Sequence, residues 1–486
     1  MDEREELVRR TKALEEYQEA PEAEGAKKCI PMLKRGDIRK KAGKFYNQPL
    51  DVDGSLFLYH QVPTNGIGYL DLMFDLNGLA PEMVPYLGLL KSVLGYVDTA
   101  GYTYGELSNE INAETGGIQC GVEVFEKADS IEDYRAFFSL RGKVMYPKID
   151  VLFKMAREIL NTSKLDDTKR LYEIIAEVKS RAQANLVSAG HSTAVLRASS
   201  YTLPMAAFQD AMAGIAYYQF IEKAEQEFEQ RKNEIVEKLK ALTVQILRPE
   251  NLSVSYTGEE ESLEQVQKQV KALKLTLHTE SAEFSSEAMP LEKKNEGFMT
   301  SGQVQFVAQA GNFRRKGLVY HGALNILKVA LSYDYLWNNL RVKGGAYGCM
   351  CGFRRSGESY FVSYRDPHLK RTLDVYRGIP EYVRNFRADE REMTKYIIGT
   401  ISGKDVPRTP QMQGSLSRTA WFCGVTEEMV QKERDEILKA TVEDIHNLAP
   451  LIEAVLEEES VCVVGSETAV QKEKELFGEI RSLITC

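Results

Sequence analysis

The stretch Tyr69–Leu76 reads YLDLMFDL, and a second stretch, Gln303–Ala310, reads QVQFVAQA. Both alternate apolar positions with mixed ones, which is the pattern of a strand that buries one face. Each is followed by a long apolar helical segment, a pair of glycines and a new strand. The two stretches therefore predict the opening strands of two copies of one fold.

The order of predicted elements agrees along the rest of both copies. After Gly116-Gly117 come the strands IQCGVEVF and FFSLRGKV, two helices and a closing strand, NLSVSYTG. After Gly344-Gly345 come AYGCMCGF and YFVSYRD, two helices and SVCVVGS. We predict an α+β protein of two tandem homologous domains, each a mainly antiparallel sheet packed with helices. The predicted domains are 46–270 and 290–486, joined by the polar linker SSEAMPLEKKNEGFMTSG, and residues 1–45 form a charged helix and connector.

Composition places the chain among soluble globular proteins, with 486 residues, 43% hydrophobic and 27% charged. No stretch approaches the roughly 18 apolar residues that span a bilayer, and the charged N-terminus lacks the apolar core of a signal peptide. We expect a cytoplasmic protein, or a mitochondrial or plastid one if a longer precursor carries a targeting segment. The net charge of −9 argues against nucleic acid as the main partner. Seven scattered cysteines are expected to be free thiols.

The residues that could perform hydrolysis are few. None of the six histidines belongs to an H-E-x-x-H or H-x-x-E-H motif, so we predict no metal site on this chain. His191 and His321 stand where helices could begin, which favours a capping or surface role over a ligand role. Cys349 and Cys351 have no second cysteine pair or nearby histidine with which to bind zinc. No nucleophile elbow or phosphate-binding loop is present.

The remaining candidate is RVKGGAYG, Arg341 to Gly348. Glycine beyond a helix end adopts the left-handed turn that other residues resist, so Gly344 and Gly345 are explained as a helix stop. Arg341 then sits in a last helical turn, where a cation is favourable, and Tyr347 is an ordinary strand residue. The first copy reads NAETGGIQC, with the glycines and without the Arg or Tyr. The residues leave open whether the pair is structural or catalytic.

Several motifs give the chain a resemblance to a known family. RVKGGAYG, preceded by YLWNNL and followed by SYRDP, resembles the C-terminal half of the presequence-protease and falcilysin branch of the insulinase (pitrilysin) family of zinc peptidases. The stretches IPMLKRGDIRKK, SAGHSTAVLRAS, GTISGKDVPRTPQMQG and ERDEILKATVEDI agree in order, so the resemblance covers nearly the whole chain. Residues 1–45 resemble the end of the helical hairpin that joins the two halves in that family.

The resemblance implies a mechanism shared between two bowl-shaped halves that close around an unfolded peptide. It assigns zinc to the N-terminal half, with the H-x-x-E-H glutamate activating water, and no cofactor to this chain. Arg341 and Tyr347 are implied to hold the substrate backbone and the developing oxyanion, while Gly344 and Gly345 let the loop approach the peptide. The implied partners are the N-terminal catalytic half and peptide substrates, with no nucleic acid and no membrane.

This chain departs from the family pattern where the zinc motif would fall. Laying the first copy on the zinc-bearing domain places Tyr86, Leu89 and Leu90 at the His, Glu and His positions. The chain alone is therefore expected to be inactive, and its start within a helical hairpin favours a piece of a longer enzyme over a separate subunit. The alternative is a non-catalytic scaffold or binding subunit of the insulinase fold.

Overall fold

A computed structural model describes residues 3–20, 25, 29, 31 and 33–484, which divide at residue 40 into two compact units. The smaller unit contains helix α1, Glu3–Glu19, and a short 3-10 turn, Arg35–Asp37. The larger unit, from Lys41 onward, holds both predicted copies. Its two six-stranded sheets and their helices confirm the α+β fold class.

The first sheet has the strand order β1-β2-β6-β3-β5-β4. Its strands are β1 Gln48–Val52, β2 Ser55–Gln61, β3 Ile67–Asp75, β4 Ile118–Glu126, β5 Tyr134–Met145 and β6 Leu252–Gly258. All neighbouring strands are antiparallel except β2 and β6. The predicted strand YLDLMFDL is thus a central strand, paired with β6 on one side and β5 on the other.

The second sheet repeats this arrangement in the order β12-β7-β11-β8-β10-β9. Its strands are β7 Glu296–Thr300, β8 Phe306–Asn312, β9 Gly348–Phe353, β10 Glu358–Tyr364, β11 Ser460–Ser466 and β12 Glu479–Ser482. Five strands match in order and direction, with β7 parallel to β11 as β2 is to β6. The edge strands differ between the sheets. Strand β1 comes directly before β2 and is antiparallel to it, whereas β12 follows all other strands of its sheet in sequence and is parallel to β7.

Helices fill the corresponding connections in both copies, although the number of helices in each connection differs. The first copy contains α2 Val84–Val93, α3 Tyr104–Glu114, α4 Ile149–Thr162, α5 Thr168–Ser188, α6 Gly190–Ser200, α7 Pro204–Ala213, α8 Ile215–Gln226, α9 Phe228–Ile246 and α10 Leu263–Lys274. The second contains α11 Ala323–Ala330, α12 Lys370–Arg377, α13 Ile379–Arg384, α14 Glu390–Lys404, α15 Pro410–Cys423, α16 Glu427–Lys439, α17 Val442–His446, α18 Ala449–Glu457 and α19 Glu467–Lys472. Helix α6 is the counterpart of α15, because each directly follows one of the two helices that the sequence matches between the copies, α5 and α14.

These two counterpart helices each pack on the sheet of the other copy. Ala194 and Ala198 of α6 lie in one buried cluster with Phe306 of the second sheet. Phe422 of α15 packs against Phe125 and Phe137 of the first sheet, with ring centroids 5.0 and 4.7 Å apart. Each copy therefore completes the core of the other, so the two copies are expected to fold together.

Each exchanged helix also carries an arginine, partly buried in α6 and fully buried in α15, that pairs with at least one carboxylate of the opposite copy. Arg197 of α6 binds Glu296 of β7 with Nε 2.5 Å from Oε2, and also binds Asp210 at 2.6 Å. Arg418 of α15 donates to Glu123 of β4 at 2.7 Å and pairs with Asp71 of β3. Buried arginines need such partners, because an unpaired charge inside a protein is strongly destabilising.

The structure corrects the sequence analysis on the linker. The predicted polar linker, residues 285–302, contains β7, which pairs with both β11 and β12. The alternation of apolar and polar residues is hard to recognise in β7, because the strand has only five residues and begins with a buried glutamate, Glu296, which is 0% exposed. Strands β1, β2 and β12 were not predicted either. We retain 46–270 and 290–486 as the proposed domain limits.

One buried histidine predicts a pH dependence of stability. His60 on β2 is fully buried, with Nδ1 3.0 Å from the Tyr46 carbonyl oxygen and Nε2 3.0 Å from Ser255 Oγ. Burial lowers the pKa of His60 to about 4. Because the folded state resists protonation, the stabilisation is complete above the unfolded pKa of about 6.5 and declines as the pH falls towards 4, by about 3 kcal/mol in total.

Urea unfolding between pH 7 and pH 4 measures this dependence. We expect His60→Gln to flatten the pH dependence of the unfolding midpoint in that window. The control His278→Gln changes a partly exposed histidine, and it should keep the slope of the unaltered chain. An unchanged slope in His60→Gln would assign the pH dependence to other groups.

Candidate active-site loop

The loop RVKGGAYG follows a helix whose geometry changes along its length. Helix α11 continues as two wider, π-helical segments, Leu331–Tyr335 and Trp337–Val342. Such widened turns are rare in helices and occur frequently at functional sites. The widening places Arg341 in the last turn, immediately before the two glycines.

The glycines end the helix as predicted. Gly345 has φ +80°, and its N–H donates to the Arg341 carbonyl at 2.8 Å, while the next N–H, of Ala346, donates to Leu340 at 2.9 Å. A side chain at Gly344 would overlap the Leu340 carbonyl. Gly117, the second glycine of the first copy, likewise has a positive φ of +109°. The glycine pair is therefore a shared structural device of both copies.

Arg341 is held between two aromatic rings. Its guanidinium carbon lies 4.6 Å from the Trp337 ring centroid and 5.1 Å from that of Tyr347. Its Nη1 donates to the Tyr347 carbonyl oxygen. Within the described part of the chain, its other N–H groups have no hydrogen-bond partner. Arg341 is thus oriented by its neighbours and keeps donors available for a ligand.

Tyr347 presents its side chain to solvent from a fixed backbone. Its N–H donates to the carbonyls of Tyr364 at 3.0 Å and Arg365 at 3.3 Å, and its side chain is 64% exposed. The ring lies 5.8 Å from that of Tyr364. Among the described residues, no group hydrogen-bonds to the Tyr347 hydroxyl. The structure therefore brings the predicted pair, Arg341 and Tyr347, into one cluster with free donors.

Three residues that support this pair, Trp337, Tyr364 and His191, were not assigned to it from the sequence. Trp337 could have been found from its position four residues before Arg341, which puts both on one helical face. Tyr364 supports Tyr347 and in turn contacts His191, with ring centroids 5.0 Å apart and nearly perpendicular planes. His191 comes from α6 of the first copy, so only the tertiary structure reveals this contact.

The two singled-out histidines differ in their roles. For His321 a capping or surface role was favoured over a ligand role, and its Nδ1 accepts the N–H of Ala323, the first residue of α11, at 3.2 Å, although the N-cap position itself is Gly322. His191 makes no side-chain capping bond at the start of α6 and packs on Tyr364 and Phe306 instead. Burial lowers the pKa of His191.

The three positions aligned with the zinc motif lie in the first core. Tyr86 is 6% exposed, and its hydroxyl donates to Glu234 Oε1 at 2.5 Å, while Leu89 and Leu90 are 0% exposed. Burial raises the pKa of Tyr86 to about 12. These side chains do not fit a zinc ion, because two are hydrocarbons and the third is a protonated phenol already hydrogen-bonded. In residues 33–484, no group of three or more His, Cys, Asp or Glu is arranged to hold a metal.

The six cysteines that the structure describes are free thiols, and Cys486 lies outside the described residues. Burial raises the pKa of Cys349 to about 11, against the influence of the nearby Arg341.

Among the helices that the structure describes, none is both long enough and apolar enough to cross a bilayer.

Two parts of the chain match models of known protein families. Residues 1–224 match the family model of the region associated with subfamily C of peptidase family M16, and residues 295–467 match "PreP C-terminal domain". Protein HypA of Clostridium perfringens is 38% identical over 479 residues, which is 99% of this chain and 49% of that protein. Presequence protease 1, chloroplastic/mitochondrial, of Arabidopsis thaliana is 30% identical over 487 residues, which is 99% of this chain and 45% of that protein. The chain thus spans about half the length of the curated relatives it matches.

Solved structures share the fold. The peptidase M16 inactive domain from Pseudomonas fluorescens has a TM-score of 0.58 at 16% identity, covering 86% of this chain and 98% of that one. The periplasmic protease PqqL of Escherichia coli has a TM-score of 0.58 at 10% identity, covering 93% of this chain and 50% of that one. The chain belongs to the M16 family of peptidases. Within that family it corresponds to the C-terminal half of the presequence-protease type.

Proposed function

We propose that this chain is the substrate-enclosing, C-terminal half of a zinc-dependent oligopeptidase that degrades unstructured peptides. In this proposal Arg341 and Tyr347 bind the peptide backbone and stabilise the oxyanion that forms at the cleaved bond. The observation that carries the proposal is the clustering of these two side chains, with unoccupied donors, at a loop whose counterpart in the first copy has neither.

The chemistry of the two side chains suits this role. An oxyanion gains most from donors that are already oriented before the reaction, about 3–4 kcal/mol for each one. Arg341 offers a permanent positive charge in a forked geometry, and Trp337 and the Tyr347 carbonyl restrict its movement. Tyr347 offers a neutral O–H from a backbone fixed by two hydrogen bonds.

The catalytic metal has no place on this chain in the proposal. Because Tyr86, Leu89 and Leu90 do not fit zinc, the metal and the water-activating glutamate are assigned to a separate N-terminal half, which is the proposed partner. That zinc would polarise the carbonyl of the bond to be cleaved. This chain would then contribute binding, orientation and exclusion of water, and would be inactive alone.

The proposal predicts the effect of removing one hydroxyl. The chain combined with its N-terminal half should cleave an unstructured peptide in a zinc-dependent reaction, and Tyr347→Phe should lower kcat about 10²-fold, because one oxyanion donor is lost. The control is Tyr333→Phe, which changes another exposed tyrosine, 76% accessible, on the preceding helical segment and should leave kcat unchanged. Unchanged turnover in Tyr347→Phe would favour the scaffold function instead.

A further inference from the structure

Four cationic side chains lie in or beside the loop Arg341–Tyr347. Lys343 lies within the loop, and Arg365, Lys370 and Arg371 lie on the segment that follows β10. All four are exposed. We call these four residues, with Arg341, the basic strip.

Contacts along the strip show that the two segments run side by side in opposite directions. Tyr347 N–H donates to the Arg365 carbonyl, and Arg371 Nη2 donates to the Lys343 carbonyl at 3.0 Å. Between these two contacts, Pro367 packs over Gly345. These contacts therefore place the two segments that carry the exposed cations side by side, next to the donors of Arg341 and Tyr347.

The strip lacks compensating negative charge. None of its five cations forms an ion pair with a carboxylate among the described residues, although the chain as a whole carries a net charge of −9. The one acidic residue in these segments, Asp366, is 1% exposed and accepts from Thr372 Oγ1 at 2.6 Å and from His368 N–H at 2.9 Å. The next acidic residue, Asp374, pairs with Arg377. Concentrated unpaired charge of one sign attracts ligands of the other sign.

Two features of the backbone oppose this arrangement of cations. Lys370 and Arg371 are the first two residues of α12, and no acidic residue occupies that first turn. A helix N-terminus favours anions and disfavours cations, so these side chains add to a positive potential that the fold itself does not need. Arg365 has φ +50°, a left-handed conformation that is uncommon in residues other than glycine and is concentrated at functional sites. Arg371 and Arg365 also make local contacts, with the Lys343 carbonyl and the Tyr364 ring, but the side chains of Lys343 and Lys370 make none among the described residues, so stability of the fold offers no reason for those two cations.

We propose that the basic strip binds carboxylate groups of the peptide substrate, and so selects peptides that present negative charge beside the bond held by Arg341 and Tyr347. This rests on the proposed function for the identity of the ligand as a peptide. The carboxylates could belong to Asp and Glu side chains or to the free C-terminus of the peptide. Both are planar anions that Arg binds through paired hydrogen bonds and Lys through charge.

Peptide binding to this chain tests the proposal without the N-terminal half. Four labelled, unstructured peptides of equal length are compared by fluorescence anisotropy: a neutral amidated peptide, the same peptide with a free C-terminus, and amidated forms with internal Gln→Glu or Gln→Lys changes. We expect one or both carboxylate-bearing peptides to bind about five- to tenfold more tightly than the neutral one, with the advantage reduced by salt. Tighter binding of only the free C-terminus identifies the terminal carboxylate as the ligand, and tighter binding of the Glu peptide identifies side chains.

A pair of double variants links the effect to the strip. Lys343→Gln/Lys370→Gln removes two cations whose side chains make no bond within the described structure, and it should reduce the carboxylate advantage about fivefold. The matched control, Lys268→Gln/Lys271→Gln, removes two exposed lysines of α10 and should leave the advantage unchanged.

Three results would overturn the proposal. These are equal binding of neutral and carboxylate-bearing peptides, a carboxylate advantage that survives in Lys343→Gln/Lys370→Gln, and tighter binding of a single-stranded oligonucleotide than of either carboxylate-bearing peptide. The proposed function fails by a different measurement, namely unchanged turnover of Tyr347→Phe in the complete enzyme. The two failures are therefore distinguishable.

Discussion

Arg341→Ala in the complete enzyme is expected to lower kcat by about 10²- to 10³-fold, the largest effect of any single change in the loop. The loss removes a permanent charge and forked donors from the place where negative charge develops. It also removes the bond from Arg341 Nη1 that holds the Tyr347 carbonyl, so the second donor loses part of its support. Because the oxyanion exists only in the transition state, the change should fall on kcat more than on KM.

Two controls separate this role from a structural one. Arg341→Lys keeps the charge and loses the fork and the stacking on Trp337, so its kcat should lie between those of Arg341→Ala and the unaltered enzyme. Gln119→Ala changes the first copy's counterpart of Tyr347, which is exposed, and should leave kcat unaltered. Steady-state kinetics with a quenched peptide measures both parameters. Equal kcat for Arg341→Ala and the unaltered enzyme, at an equal thermal midpoint, would remove Arg341 from the catalytic machinery.

Arg418→Met is expected to lower the free energy of unfolding by about 3–5 kcal/mol, the largest stability effect that we predict. Arg418 is 2% exposed and pairs with Asp71 and Glu123. Arg141 pairs with the same two carboxylates, with a nitrogen 2.7 Å from an oxygen of each. Methionine fills a similar volume and leaves two largely buried carboxylates with one cation. Burial already raises the pKa of Glu123, against the influence of Arg418, so losing that cation raises the cost of its charge further.

Chemical denaturation followed by tryptophan fluorescence measures this loss. Trp421 lies on α15 together with Arg418 and is one of the two tryptophans of the chain, so its fluorescence reports on the unfolding of the segment that carries Arg418. The control Arg181→Met changes an arginine that is 62% exposed and should shift the free energy by less than about 1 kcal/mol. Adding Asp71→Asn to Arg418→Met should recover part of the loss, as expected for coupled residues. A loss equal to that of the control would show that the buried pair contributes little.

Much of the candidate site was predictable because it depends on local backbone rules. The helix stop follows from the conformational freedom of glycine, and it appears at Gly117 and at Gly345 in the structure. Arg341 and Tyr347 stood out because the first copy keeps the glycines and lacks both side chains. Their stacked arrangement follows from the short spacing between them and the tight turn that joins them.

Two supports of the site, Tyr364 and His191, were not predictable from the sequence. His191 lies about 150 residues before Tyr347 and reaches it through Tyr364, and a contact of that span leaves no pattern in a single sequence. The basic strip likewise depends on the alignment of Lys343 beside Arg371, which the hydrogen bond between them fixes. A single sequence shows which residues are charged but not which of them are neighbours.

The sequence by itself determined the α+β class, the duplication and the membership of the family, because strand alternation, helix stops and ordered motifs are properties of neighbouring residues. Only the tertiary structure decided that α6 packs on the second sheet and α15 on the first. Glu123 and Arg418 are 295 residues apart and meet because burying both helices completes two cores at once. This burial occurs only when both copies pack together, so the sequence of a single segment does not predict it.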